Sequence, residues 1–292
     1  MEINYSELVS IKHVNVEKID GTKISSFLDT LSIEEPLEIR ISYGSETEKI
    51  QKNISVTMRT PGNDTDLAIG FLFTEGIITS FEDIKNAYPL KMNCLSQKQN
   101  IIQVDLKDNF SPNLMQTDRN FYTTSSCGVC GKSSIQSIKT VSPFRNSLRL
   151  SNTIDASVFY QLSEKLRTAQ SDFASTGGLH ASGLFNTKGD LILLTEDVGR
   201  HNALDKLIGK SLANKSLPLN EHILLLSGRA SFELIQKAAM AGISIIASIG
   251  APSSLAVELA VEFNITLLGF LKESRFNIYN ASDQTVILTA SK

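Results

Sequence analysis

The sequence predicts an α/β protein whose carboxyl-terminal half is built on a buried parallel sheet, and three observations carry that expectation. Residues 223–226, 243–248 and 265–268 are short apolar runs without polar alternation, the pattern of strands covered on both faces. Residues 231–241 and 253–263 between them have helical length and spacing, which gives the order β-α-β-α-β. The strands are followed by small or charged residues: Ser227-Gly228-Arg229, Gly250-Ala251-Pro252, Gly269-Phe270-Leu271-Lys272 and, after an earlier strand, Glu196-Asp197. Ligands of open parallel sheets bind beyond the carboxyl ends of the strands, so these tails mark one rim as a candidate site.

Upstream, residues 11–56 read as extended chain, with Pro36 at a strand start. Asn63 or Asp64 caps a helix whose Leu67, Phe71 and Leu72 keep helical spacing until Gly76, and a second short helix is expected over residues 81–87. Strands follow at 101–106 and 121–124, then a cysteine segment and a helix over 132–141. The polar, turn-rich stretch 142–147 suggests a soft boundary between an N-terminal α+β part, residues 1–145, and an α/β part, residues 146–292. A helix over 156–169 leads to Gly177-Gly178, and strands at 179–185 and 191–195 flank Asn-Thr-Lys-Gly-Asp as a hairpin.

Composition narrows the function classes. Across 292 residues, 28 Lys and Arg face 31 Asp and Glu, a net charge of −3 with no basic tail or stripe, so no nucleic-acid partner is expected. The apolar runs are far shorter than the roughly 20 residues of a membrane span. The start of the chain lacks a basic region followed by an apolar one, so a cytoplasmic protein is expected. The three cysteines, an odd number, fit no disulfide framework, and in a reducing compartment a close pair points to catalysis or metal binding.

That pair is Cys127 and Cys130, in Ser125-Ser126-Cys127-Gly128-Val129-Cys130-Gly131. Glycine after each cysteine and serines before make a flexible, close-approaching turn that is ill suited to packing a core. A helix start just beyond it, with Lys132, would favour thiolate over thiol, and the thiolate is the nucleophile. Spacing alone leaves redox chemistry, zinc binding and sulfur transfer open. Zinc needs four ligands, and beside the pair there are only Cys94 and the scattered His13, His180, His201 and His222, so no metal is expected. The His-x-Glu and Pro-Cys-x-x-Cys segments of a zinc deaminase are absent. His13 and Cys94 read as structural, and His222 as a surface residue opposite the rim.

The segment from Glu196 through Asp197, Gly199, Arg200 and His201 to Lys206 sets two acids, a glycine turn, a cation and an imidazole between a strand and a helix, a pattern that binds or catalyses more often than it packs. Arg229, beside Gly228, can offer a planar fork to phosphate. No Walker or Gly-x-Gly-x-x-Gly loop occurs, which argues against nucleotide hydrolysis and dinucleotide redox chemistry.

Together these segments resemble the formate dehydrogenase accessory sulfurtransferase (FdhD) family. The ordered blocks are Met58-Arg59-Thr60-Pro61-Gly62, Asp66-Leu67-Ala68, Gly70-Phe71-Leu72, the cysteine segment, Thr176-Gly177-Gly178 with His180, and Glu196 to Asn202 with Asp205-Lys206. Ser227-Gly228-Arg229 with Ser231 and Glu233, residues 251–256, and Gly269-Phe270 complete them. The resemblance implies a three-layer α/β/α core similar to cytidine deaminases but free of zinc, and a homodimer. It also implies a sulfur carrier that accepts sulfur from a cysteine desulfurase as a Cys127 persulfide, with Cys130 assisting. The acceptor it implies is the bis-molybdopterin guanine dinucleotide form of the molybdenum cofactor, before insertion into formate dehydrogenase. Cofactor contacts fall on Phe270, Leu271, Lys272, Glu273, Ser274 and Arg275, where Lys272 and Glu273 replace a commoner Arg-Gly. Gly228 and Arg229 then suit phosphate, and Asp197 and His201 the rest of an anionic guanine nucleotide. Competing readings are a thiol-disulfide oxidoreductase and a non-catalytic chaperone that only delivers the cofactor.

Overall fold

The computed structural model describes residues 10–90, 100–114, 143–144 and 152–289. Cys94, Cys127 and Cys130, the strand expected at 121–124, the helix at 132–141 and the boundary after residue 145 lie outside the described residues.

β1 (Ile11–Asp20) and β2 (Lys23–Ser32) form an antiparallel ribbon that turns at Gly21, whose φ of 62° suits glycine. β3 (Glu35–Gly44) has Pro36 in its opening pair of residues, in line with the expected strand entry, and pairs antiparallel with β4 (Lys49–Arg59). Leu37, Ile39 and Ile41 alternate along β3 into the core. α1 (Asp64–Thr74) follows Asn63, and the Leu67 N–H donates to the Asn63 carbonyl at 2.9 Å.

The second helix expected near residues 81–87 is instead a single turn, Phe81–Asp83, followed by β5 (Ile84–Pro89). The Asp83 carboxylate accepts from Thr79 N at 2.7 Å and Ser80 N at 2.9 Å and closes that turn on itself. Beyond it the chain is taken up in an antiparallel ladder with β6 (Ile101–Leu106), a tertiary partner that overrides the local helical pattern. The resulting sheet has the order β4-β3-β6-β5.

β7 (Asn152–Asp155) leads into α2 (Ala156–Ala169), where Asp155 caps the helix by accepting from Ser157 N at 2.8 Å. α3 (Ser171–Thr176) precedes the hairpin of β8 (His180–Asn186) and β9 (Leu191–Asp197). Then come α4 (Arg200–Ala213), β10 (His222–Leu226), α5 (Phe232–Met240), β11 (Ile245–Ser248), α6 (Ser254–Glu262) and β12 (Thr266–Gly269). β13 (Asn277–Asn280) and β14 (Thr285–Leu288) close the chain, β14 pairing in parallel with β7.

The main sheet, in the order β13-β12-β11-β10-β8-β9, is parallel through β10, β11 and β12 and antiparallel at β8 and β13, so the expected parallel sheet is the middle of a mixed one. Its inner strands, β8, β10, β11 and β12, are buried on both faces. Leu224 and Leu226 join the helices α4, α5 and α6 and, beyond them, α1 and the N-terminal sheet, in one apolar cluster. Ile223 and Leu225 face the opposite way, against Phe159, Leu162 and Leu166 of α2. The sheet thus lies between two helical layers, with the four-stranded sheet packed outside one of them. α1 and α4 cross closely: a Cβ on Gly70 would meet the Asp205 carbonyl at 1.9 Å, and one on Gly209 the Asp66 carbonyl at 1.9 Å. Among the described residues no helix is long and apolar enough to cross a membrane.

Candidate functional site

The rim expected from the sequence is continuous in space. β9 and β10 both run antiparallel to β8, so the carboxyl ends of β9, β10, β11 and β12 meet at one edge, with His180 at the start of β8 opposite Asp197. The loops leaving these strands pack on one another. Gly250 N donates to Gly228 O at 3.0 Å, Phe270 N to Gly250 O at 3.1 Å and Leu271 N to Ser248 O at 3.1 Å, while Ala230 bridges Pro252. Two of the rim glycines therefore answer to neighbouring protein atoms. A Cβ on Gly250 would stand 3.0 Å from the Gly228 carbonyl, and one on Gly269 2.8 Å from Pro252 Cδ and 2.9 Å from Tyr279. At Gly228 the neighbour is the His180 ring, 3.3 Å from an added Cβ.

Asp197 lies inside the protein, fully buried beneath the Val198-Gly199 turn. Its carboxylate takes the Lys206 ammonium at 2.7 Å, Gly199 N at 2.8 Å, Thr60 N at 3.2 Å and Asn202 Nδ2 at 3.2 Å. Burial pushes the Asp197 carboxyl up, and Lys206 with these donors pulls against it. Lys206 also donates to Thr60 O at 2.9 Å, and Asn202 to Met58 O at 2.7 Å. The Met58-Arg59-Thr60 end of β4 is thereby fastened to the turn before α4. Arg59, fully buried, is held in place by Asp64, its Nε at 2.9 Å and its Nη2 at 2.8 Å from the two carboxylate oxygens.

His201 sits in the first turn of α4 with Nε2 3.2 Å from Ser231 Oγ and 3.6 Å from Glu233 Oε2 at the start of α5. Behind it lies a second buried pair, Lys237 and Asp205, 2.9 Å apart, with Thr74 Oγ1 donating to Asp205 at 2.8 Å. Burial alone would lower the Lys237 ammonium, but Asp205, Glu75 and Glu233 outweigh it and hold it above the ordinary lysine range.

Arg229 is exposed at the rim. Phe270 is also exposed and adopts a left-handed φ of 54°, a costly conformation for a non-glycine residue, between the anchored Gly269 and the buried Leu271. Lys272, Glu273, Ser274 and Arg275 form an exposed turn in which Lys272 N donates to Arg275 O at 2.9 Å. Cys127 and Cys130, the expected catalytic residues, lie outside the described residues. His13 is exposed on β1 beside Thr30. His222 is at the far end of the sheet, as expected, but half-buried rather than exposed, and burial lowers its pKa. Among the described residues no group of three or more His, Cys, Asp or Glu side chains could hold a metal ion.

Sequence reasoning placed Arg200 and Lys206 in a binding or catalytic segment and Thr60 and Ser231 in the family blocks, but gave none of them a role at the site; Thr60, Ser231 and Lys206 position the rim, and Arg200 meets no carboxylate among the described residues. Its signal was a cation directly after a glycine turn at a helix start.

Residues 32–286 match the sequence profile of the FdhD/NarQ family. The chain is 46% identical over 259 residues to the sulfur carrier protein FdhD of Mycolicibacterium paratuberculosis, covering 88% of this chain and 92% of the relative. It is 42% identical over 277 residues to the protein of the same name from Streptomyces coelicolor, covering 94% and 95%. The fold is similar to the crystal structure of a formate dehydrogenase accessory protein from Desulfotalea psychrophila, with a TM-score of 0.69 and 22% identity over 95% of this chain and all of that one. Because the family match spans the strand-end rim as well as the cysteine pair, the chain belongs to the FdhD/NarQ family.

Proposed function

We propose that this protein is a sulfur carrier serving formate dehydrogenase, with Cys127 as the residue that bears the sulfur. The reading is carried by one observation: relatives named sulfur carrier protein match almost the whole chain, and the Cys-Gly-Val-Cys-Gly segment lies inside the matched span. In the proposed step the Cys127 thiolate attacks the terminal sulfur of a cysteine desulfurase persulfide, forming a new S–S bond as the donor thiolate leaves. The product is a Cys127 persulfide, and Cys130 shields or resolves it. The proton balance closes because one thiolate replaces another. The setting is the reducing cytosol, and the working unit is a homodimer.

The acceptor in this reading is the bis-molybdopterin guanine dinucleotide form of the molybdenum cofactor, handled as substrate. The rim suits such a ligand: Gly228 allows close approach, Arg229 offers its fork to phosphate, and the exposed Phe270 with residues 271–275 presents an aromatic face and two cations to the nucleotide. Asp197 and His201 hold the turn at the rim through Lys206, Asn202 and Ser231. In this reading the sheet between two helical layers is a core similar to that of cytidine deaminases, without their zinc.

The test is mass spectrometry after incubation with a cysteine desulfurase and cysteine. The parent protein gains one sulfur atom, and Cys127→Ala does not. Sulfur loading that persists in Cys127→Ala rejects the assignment. Formation of a Cys127–Cys130 disulfide in place of a persulfide would favour a thiol-disulfide oxidoreductase, and delivery of active cofactor by Cys127→Ala a simple chaperone.

A further inference from the structure

Among the described residues, the acidic side chains around the β9 and β10 ends each lie beside a protein cation or hydrogen-bond donor. Asp197 is neutralised by Lys206 at 2.7 Å. Glu196 accepts from Phe173 N at 3.1 Å and Gln170 Nε2 at 3.2 Å, and so is tied to the start of α3. Glu233 stands 3.6 Å from His201 and 4.0 Å from Lys237. The cationic groups of the same edge are not so engaged. Arg200 is half-buried, its Nε is fully shielded from solvent, and that Nε meets no acceptor among the described residues. No described residue hydrogen-bonds or ion-pairs with the Arg200 or Arg229 guanidinium, and neither ring nitrogen of His180 has a hydrogen-bond partner among the described residues.

A buried donor without an acceptor is uncommon in a folded protein and costs stability unless something supplies the missing partner. Arg200 also lies close enough to His180 to disfavour protonation of its ring. Burial pushes the His180 pKa down, Arg200 pushes it further, and only Asp197, already committed to Lys206, acts the other way. The His180 ring in turn packs against Gly228, and Arg229 continues the edge, its Cγ 3.0 Å from where a Gly250 Cβ would stand. Arg200, His180 and Arg229 thus line the adjoining ends of β9, β8 and β10. Asp197 fixes the Gly199 turn from below, so Arg200 leaves a rigid base.

Resting on the reading above, the geometry points to an oxyanion subsite formed by Arg200, His180 and Arg229, which takes a phosphate group of the nucleotide ligand. Arg200 supplies a planar fork of N–H donors, His180 one ring donor, and Arg229 a flexible outer contact. Asp197 and His201, from the same turn, act as positioning residues behind it. An anion between Arg200 and His180 supplies the acceptor that the Arg200 guanidinium lacks and accepts from the His180 ring N–H. Phe270 and residues 271–275, two strand ends away, are left to meet the rest of the nucleotide.

The test is calorimetry on the full-length protein with inorganic pyrophosphate, guanosine diphosphate, adenosine diphosphate and guanosine as probes. Arg200→Gln is expected to weaken both pyrophosphate and guanosine diphosphate by about 10- to 100-fold and to leave guanosine unaffected. His180→Gln gives a smaller loss for the same two probes. Lys188→Gln removes a charge at the opposite end of β8 and leaves every affinity as it was. The melting temperature of Arg200→Gln is not lower than that of the parent, because no protein partner is orphaned. Guanosine diphosphate binding that is indifferent to Arg200→Gln overturns the subsite and leaves the sulfur-carrier reading in place. An equal loss in Lys188→Gln, or no binding of either phosphate probe, overturns it as well. Arg200-dependent binding of pyrophosphate with no preference for guanosine over adenosine diphosphate supports the subsite and counts against a guanine ligand.

Discussion

Lys206 Nζ stands 2.7 Å from Asp197 Oδ2 with both side chains buried, and the same ammonium donates to Thr60 O at 2.9 Å. The end of β4, remote in sequence, is joined at this one charge to the end of β9 and the first turns of α4. Lys206→Met would leave the Asp197 carboxylate buried without its cation, at an expected cost of about 3–5 kcal/mol. The double variant Asp197→Asn, Lys206→Met should recover part of that loss, since no charge is then left unpaired. Urea denaturation measures both, and a single variant as stable as the parent would show that the pair does not hold the turn.

The crossing of α1 over α4 depends on two glycines. An alanine methyl at residue 209 would lie 1.9 Å from the Asp66 carbonyl, and one at residue 70 equally close to the Asp205 carbonyl, so helical backbone would have to move. Each of Gly70→Ala and Gly209→Ala is expected to destabilise by at least about 1–3 kcal/mol, although alanine is the better helix former. A stabilised Gly209→Ala, read by thermal melting, would contradict the crossing.

Phe270 combines a left-handed φ of 54° with an exposed ring. Phe270→Gly removes the backbone cost and should leave stability equal or raise it by up to about 1 kcal/mol. Loss of the aromatic face should at the same time weaken guanosine diphosphate by about 1–3 kcal/mol, the usual range for base stacking on an aromatic side chain. Calorimetry and melting on the same preparation separate the two effects; tight binding by the glycine variant would remove Phe270 from the site.

Stability should fall on the acid side through the half-buried histidines. Burial lowers the pKa of both His222 and His180, so as pH drops below the ordinary histidine value of about 6.5 the unfolded chain takes up protons that the folded one resists. Their contribution is complete above that pH and declines as pH falls toward the lowered folded values. His222, far from the rim, gives the cleaner test. His222→Gln should flatten the fall in melting temperature between about pH 7 and pH 5. An unchanged slope would show that His222 does not drive it.

The apolar runs at 223–226, 243–248 and 265–268 were enough to give the alternation of strands and helices and the edge where their carboxyl ends meet, because double-sided burial writes an unbroken apolar signature into a strand. The helix at 156–169 was legible to the residue, bounded by the Asp155 cap. The reading of the cysteine pair rests on its glycine-flanked sequence, since Cys127 and Cys130 lie outside the described residues. What residues 84–89 became was decided by β6, a partner later in the chain whose ladder outweighs a weak local preference. The roles within the rim were also decided in three dimensions. Asp197, Arg200 and His201 are equally polar in the sequence, yet Lys206, Thr60 and Ser231 take up the first and third, while Arg200 meets no carboxylate among the described residues. Likewise Gly250 and Gly269 looked like room for a ligand and are room for neighbouring loops. Periodicity reports which side of an element is buried, whereas the partner of a buried charge, or the atom that crowds a glycine, comes from chain remote in sequence and exists only once the layers have packed.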